Sequence, residues 1–210
     1  MPQTPPPALL FTSPACPFCP GLKQALLGLQ QEAAIGTLEV LDASREPARA
    51  AALGVRSVPW FRIGALQFEG QMSPSELREW ARLATTDEGL KRYMFTMLKS
   101  GQRARVEQLI RDDPTRAALL ASLAFDADSG METRLGIGAV LEELQGTALT
   151  QAMVPALAAT LADSTPRHRA DAAHFLSLIG GAAALAALQP YQQDADVEVR
   201  EIAREAWGLA

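Results

Sequence analysis

The stretch "FTSPACPFCPGLKQAL", residues 11–26, constrains the fold most, because it places both cysteines of this 210-residue chain between a strand-like and a helix-like segment. "ALLFTS" (8–13) is a short apolar run closed by Ser13-Pro14 and reads as a buried strand. From about Pro17 to Ala34, Leu22, Leu26 and Leu29 recur at spacings of four and three, the stripe of a helix burying one face. Cys16 therefore sits where the chain enters the helix. Unpaired backbone N–H groups and the positive end of the helix dipole stabilise a thiolate there. Cys19, three positions on, lies about one helical turn below it, within reach for a disulfide. Pro17 suits the helix start because it has no N–H to satisfy, and Phe18 offers an apolar surface between the sulfurs.

The following segments keep alternating. "TLEVLDA" (37–43) reads as a second strand, and Pro47 opens a short helix ending at Gly54. "VPWFRIG" and "LQFEG" read as two strands joined by a turn near Gly64-Ala65. Ser73, Pro74 and Glu76 in "SPSELREW" form an S-x-x-E capping box before the next helix. The order is β-α-β-α-β-β-α, with the first two strands parallel and the last two antiparallel.

Residues 8–19 together with "GVRSVPW" (54–60) resemble thioredoxins and glutaredoxins, and "CPFCP" is closest to the glutaredoxin-like branch with a proline after the second cysteine. The resemblance implies a small thioredoxin-like domain over residues 1–84 and thiol-disulfide oxidoreductase activity. It implies that Cys16 attacks, Cys19 resolves, and Pro59 is a cis-proline facing them. Pro17, Phe18, Val58, Trp60 and Gly70 would line the substrate groove, with no cofactor and no metal. Two positions depart from the family pattern. Leu10 stands where thioredoxins place a buried aspartate, and "EGQMS" lacks the Gly-Gly-x-Asp element by which glutaredoxins hold glutathione. The partners implied are a protein disulfide client and a thiol reductant or reductase. A zinc site within the chain is not expected. Four ligands are usual, and His168 and His174, six apart, lie about 240° around a helix. A zinc shared between the cysteine pairs of two copies is the alternative left open.

After Ala84 the strand-like alternation stops, and residues 85–210 read as helix after helix. "GIGAVLEELQG" (136–146) aligns with "ADAAHFLSLIG" (170–180) at an offset of 34, and that segment aligns with "EIAREAWGLA" (201–210) at an offset of 31. Asp163 matches Asp194, and Arg169 matches Arg200. A period of this length built from helix pairs marks a stacked repeat. The fragments around 154–181 and 194–210 resemble short bacterial HEAT-like repeats, in which an Asp closes a turn and an Arg at the next helix start braces it. Such a domain could hold a protein partner. Trp207 is expected to dock the final helix, and Met94, Met97, Met131 and Met153 to fill the core. The basic cluster Arg167-His168-Arg169 reads as a solvated loop. Asp126 and Asp128 beside Gly130 lack the twelfth-position Glu of a calcium loop.

Charge narrows the partners further. Residues 1–84 hold seven acids and seven bases, and residues 85–210 hold seventeen acids and twelve bases. The net charge of −5 and pI near 5.1 argue against nucleic acid or an anionic membrane as the main partner. "MPQTPPPALL" lacks the basic region and apolar run of a secretory signal, and Asp163 and the stretch from Pro166 to Asp171 interrupt the best candidate spans. The expected location is cytoplasmic, where a closely spaced cysteine pair is catalytic or metal-binding more often than structural. The reading from a different class is a protein-interaction adaptor built on the repeats, with a degenerate thioredoxin-like docking domain.

Overall fold

A computed structural model describes residues 4–126, 128–162 and 165–208 of the chain. The chain divides into two compact units, Met1–Tyr93 and Met94–Ala210. The first contains a four-stranded mixed sheet and helices, and the second is helical.

The first unit is ordered β1 (Ala8–Thr12), α1 (Cys19–Gln31), β2 (Leu38–Asp42), α2 (Pro47–Ala52), β3 (Trp60–Ile63), β4 (Leu66–Glu69) and α3 (Pro74–Leu83), followed by α4 (Asp87–Lys99), within which the division between the units falls. The sheet order is β2-β1-β3-β4. β1 runs parallel to β2, with Ala8 opposite Leu38 and Thr12 opposite Asp42. It runs antiparallel to β3, with Phe11 opposite Trp60, and β3 and β4 form the expected antiparallel hairpin. β1 is thus paired on both edges, and Ala8, Leu9, Leu10 and Phe11 are all buried.

Alternate residues of a strand serve opposite faces. Leu9, Phe11 and Trp60 pack with Ala50 of α2, and Leu41, Leu53, Val55 and Val58 close around them half-buried. Phe61 and Phe68 face the other way and stack with ring centres 5.1 Å apart. Phe68 also meets Trp80 of α3 at 5.3 Å and Tyr93 of α4 at 5.7 Å. Leu22, Leu26 and Leu29 of α1 are buried, as their stripe predicts. The capping box forms: the Ser73 hydroxyl accepts the Glu76 N–H at 3.3 Å, and the Glu76 carboxylate accepts the Ser73 N–H at 3.0 Å.

Helix α1 is shorter than its apolar pattern suggests. It begins at Cys19 rather than Pro17, with Phe18 as N-cap and Pro20 in the first turn. At its other end Ala33 takes φ +55°, a left-handed conformation that ends a helix, and the chain turns so that Ile35 is buried. The division at Tyr93/Met94 falls nine residues after the expected 84/85 boundary. The reason is Tyr93, whose ring joins the Phe68–Trp80 cluster. Its hydroxyl donates to the Gln67 carbonyl at 2.9 Å and accepts the Gln67 N–H at 3.2 Å. β4 is an edge strand, and this single phenol occupies an outward-pointing donor and acceptor that would otherwise invite another strand.

The second unit continues with α5 (Arg103–Asp112), a 3-10 turn at Pro114–Arg116, α6 (Ala117–Leu123), α7 (Met131–Glu143), α8 (Ala148–Gln151), α9 (Val154–Leu161), α10 (Pro166–Ile179), α11 (Gly181–Leu188), a 3-10 turn at Gln189–Gln193 and α12 (Val197–Ala206). Two rows of helices pack side by side. α5, α7, α10 and α12 neighbour one another in that order, while α6, α9 and α11 form the second row, with α9 and α11 lying against α10. The small residues of the internal repeat fill the close crossings: Ala172 and Ala173 of α10 are fully buried, and a methyl on Gly136 of α7 would approach Leu98 to 3.1 Å. Met94, Met97 and Met153 are buried, but Met131 is 68% exposed and does not fill the core as expected. It opens α7, before the helix meets its neighbours. Trp207 is half-exposed and tied down through its indole N–H, which donates to the Leu185 carbonyl at 3.1 Å.

Arg169 and Arg200 both brace this unit at Asp194. Arg169 donates to Asp194 through Nη2 at 3.0 Å and Nε at 3.3 Å, and Arg200 donates to the Asp194 carbonyl at 2.5 Å. Asp163, the matching aspartate, lies outside the described residues. Burial works against the Asp194 carboxylate, but the Arg169 hydrogen bonds, the Asp196 N–H and the charges of Arg169 and Arg200 outweigh it and hold its pKa below the ordinary value. A folded-state pKa below the unfolded one adds stability above the unfolded value, and that stability is lost as pH falls through the folded one.

Two outcomes follow. Tyr93→Phe should lower the urea midpoint of the first unit's transition, with unchanged slope, by about 1–3 kcal/mol of stability, the cost of leaving part-buried backbone groups without partners. Asp194→Asn should destabilise the helical unit by about 2 kcal/mol at pH 7. The difference between parent and variant, followed by unfolding titrations from pH 7 downward, should persist to about pH 4 and vanish in stronger acid; a difference that grows with acidification would contradict the assignment.

Candidate dithiol site

The site begins with the way β1 ends. Thr12 donates its hydroxyl to the Leu41 carbonyl at 3.1 Å, fixing the last residue of β1 to β2. Ser13-Pro14-Ala15-Cys16 then forms a turn in which the Cys16 N–H donates to the Ser13 carbonyl at 3.1 Å. Pro14 occupies the second turn position, where its fixed φ is already suited. The Ser13 hydroxyl accepts the Ala15 N–H at 3.3 Å. Ser13 was read from the sequence only as a strand terminator, although Ser-Pro in a four-residue link is itself a turn signal.

Cys16 and Cys19 are joined in a disulfide, with S–S 2.15 Å and Cα–Cα 5.5 Å. The Cys19 N–H points at Cys16 Sγ, 3.1 Å away. That N–H belongs to the first residue of α1 and has no acceptor within the helix. A thiolate at Cys16 would take the same N–H together with the positive end of the helix dipole, while Cys19 Sγ has no such donor among the described residues. The pair lies at the rim: Cys16 is 9% exposed and Cys19 3%. Around them Pro14, Ala15, Pro17 and Pro20 are exposed, and Phe18 is 54% exposed.

The second segment arrives at the same end of the sheet. Because Phe11 lies opposite Trp60 in an antiparallel pair, the chain leaving β1 and the chain entering β3 are side by side. The Val58–Pro59 peptide bond there is cis. Val58 is half-buried against the Phe11–Trp60 cluster, and Pro59 is buried. Gly70, at φ +80°, follows β4 and donates its N–H to the Pro59 carbonyl at 2.8 Å. Cys16, Cys19, Pro17, Phe18, Val58, Pro59 and Gly70 therefore gather at one sheet end. Trp60 does not line it. At 1% exposure, edge-on to Phe11 at 5.8 Å, its ring is a buried support beneath the site rather than a wall; its position as the first residue of β3, facing the α2 side, explains the difference.

Among the described residues no group of three or more His, Cys, Asp or Glu could hold a metal ion, and no helix is long and apolar enough to cross a membrane. His168 contacts the Phe125 ring at 5.7 Å, and Asp126 and Asp128 are exposed at the turn before α7. No protein-family model matches the chain, and no curated protein sequence matches it.

The unequal settings of the two sulfurs have a measurable consequence. After reduction, a limiting amount of iodoacetamide at neutral pH should label Cys16 about tenfold more than Cys19, read by peptide mass mapping. Equal labelling would remove the distinction between attacking and resolving sulfur.

Proposed function

We propose that this chain is a thiol-disulfide oxidoreductase with a small thioredoxin- or glutaredoxin-like domain, followed by HEAT-like helical repeats that hold a protein client or a reductase. The observation that carries the reading is the Cys16–Cys19 disulfide at the start of α1, with the Cys19 N–H directed at Cys16 Sγ. In the reductive direction the Cys16 thiolate attacks a client disulfide, a mixed disulfide forms, and one client sulfur leaves as thiolate and takes up a proton. Cys19, deprotonated in turn, attacks Cys16 Sγ and releases the second client thiol. Two electrons pass from the dithiol to the client, and the chain is left with the Cys16–Cys19 disulfide. An external thiol reductant or a reductase must then restore the dithiol, since the chain has no third cysteine. Val58, Pro59 and Gly70 would align the client strand, and Pro17 and Phe18 would give it an apolar contact. The acting location proposed is the cytoplasm.

Turnover of hydroxyethyl disulfide with dithiothreitol as recycling dithiol tests the reading. Cys16→Ser should abolish turnover above the uncatalysed rate, and Cys19→Ser, reduced, freed of dithiothreitol and mixed with hydroxyethyl disulfide alone, should accumulate a mixed disulfide on Cys16 visible by intact mass. Parent and Cys16→Ser proteins of equal rate would defeat the proposal. If that came with a Cys16 thiol pKa near the ordinary value of about 8.5, the adaptor reading would replace it.

A further inference from the structure

The two edges of the sheet differ. On β4 the Tyr93 phenol takes the Gln67 N–H and carbonyl. β2 stands at the other end of the order β2-β1-β3-β4, and its parallel register turns the N–H and C=O of Glu39 and Leu41 towards β1. The bonds at the two ends agree: Ala8 donates to the Thr37 carbonyl at 2.8 Å, and Ala43 donates to the Thr12 carbonyl at 2.9 Å. The N–H and C=O of Leu38 and Val40 therefore point away from the sheet, and no described residue pairs with them. No proline, glycine or lysine interrupts Leu38–Asp42, so the usual devices that blunt an edge are missing. The side chains divide by face. Leu38 and Val40 are half-buried on the face of Leu10 and Phe61. Glu39 lies on the other face, where Arg49 of α2 donates to both of its carboxylate oxygens, at 2.6 and 2.5 Å.

We propose that this edge pairs with the same edge of a second copy, antiparallel and centred on Glu39, so that two four-stranded sheets join into one. In that register Leu38 of each copy lies opposite Val40 of the other. Every open N–H of these residues then meets an open C=O, in the closely spaced pairs of an antiparallel ladder. Centring on Val40 would instead draw on the Asp42 carbonyl, which already accepts the N–H groups of Arg45 and Glu46. The half-buried Leu38 and Val40 form apolar cross-strand pairs on one face. On the other face the two Glu39 meet. Like charges directly opposite weaken a ladder, but each carboxylate arrives with the Arg49 guanidinium on it, so two neutral ion pairs come together. A foreign strand would have to match this pattern, whereas a second copy matches it by two-fold symmetry. Because the copies run antiparallel, their dithiols lie at opposite ends of the joined sheet and the pairing uses no residue of either site.

The test is the mass of the full-length protein against concentration, by sedimentation equilibrium under reducing conditions that exclude disulfide-linked chains. A pairing this short falls at the weak end of interface sizes, so the mass should be that of one chain near about 1 µM and rise towards two chains near about 1 mM. Val40→Pro removes an N–H that points outward and leaves the β1–β2 ladder its own bonds, and it should abolish the rise. Arg49→Gln, at an exposed position, leaves Glu39 bare and should weaken association about fivefold at about 0.01 M ionic strength. Glu39→Gln added to Arg49→Gln should restore it. Amide exchange in the parent reads the same ladder without any substitution, and it decides the matter if Val40→Pro fails to fold. The Leu38 and Val40 amides should exchange about threefold more slowly at about 1 mM than at about 0.1 mM, with Glu39 and Leu41 protected at both. A single-chain mass at the highest concentration overturns the proposal. So does a mass curve that Arg49→Gln leaves unmoved, a dimer that persists in folded Val40→Pro, or Leu38 and Val40 amides indifferent to concentration.

Discussion

The pairing of β1 on both of its edges is the constraint on which the rest of the first unit depends. A strand hydrogen-bonded to β2 on one side and β3 on the other cannot slip by one residue without turning Leu9 and Phe11 from one core to the other. Its last residue is pinned by Thr12 to Leu41. The four-residue turn then delivers Cys16, and α1 starts at Cys19. The position of the sulfurs is therefore inherited from a buried strand. A site hung from the end of a fully paired strand takes its placement from that strand, and the turn bonds of Ser13 carry the placement on to Cys16 at the rim.

Much of this was legible in the chain because it is written in short periods and in local chemistry. The Leu22-Leu26-Leu29 stripe, the hairpin around Gly64 and the Ser73–Glu76 capping box each depend on residues within a few positions of one another. What escaped is non-local or conformational. Nothing in the sequence says that Tyr93, beyond the apparent end of the α/β region, reaches back to Gln67 across 26 positions. Trp60 follows a proline expected to face the site, but strand alternation sends its ring to the α2 side. Met131 is spaced like a core residue, yet it begins its helix, where the neighbouring helices do not cover it. The start of α1 was misplaced by two residues because Pro17 and Pro20 are both acceptable in a first turn, and the side-chain pattern cannot choose between them.

The helical unit distributes its stability differently. By the repeat offsets, Leu135, Arg169 and Arg200 occupy equivalent places at the starts of α7, α10 and α12. The two arginines converge on one residue, Arg169 on the Asp194 carboxylate and Arg200 on its carbonyl. Asp194 in turn accepts the Asp196 N–H at 2.8 Å, and the Asp196 side chain accepts two N–H groups of the first turn of α12. One aspartate thus joins the start of α10, the turn before α12 and the cap of α12. Leu135 makes no such link and is exposed. The polar brace of the helical unit lies between α10 and α12. The α7–α10 step instead has Arg134 facing Asp171 at 3.8 Å, with Asp171 Oδ2 finding no hydrogen-bond partner among the described residues. A buried oxygen held by charge alone, without a directional bond, gives less than a bidentate pair. The α7 end of the stack is therefore the step that should open first, leaving α10 and α12 as the more persistent pair.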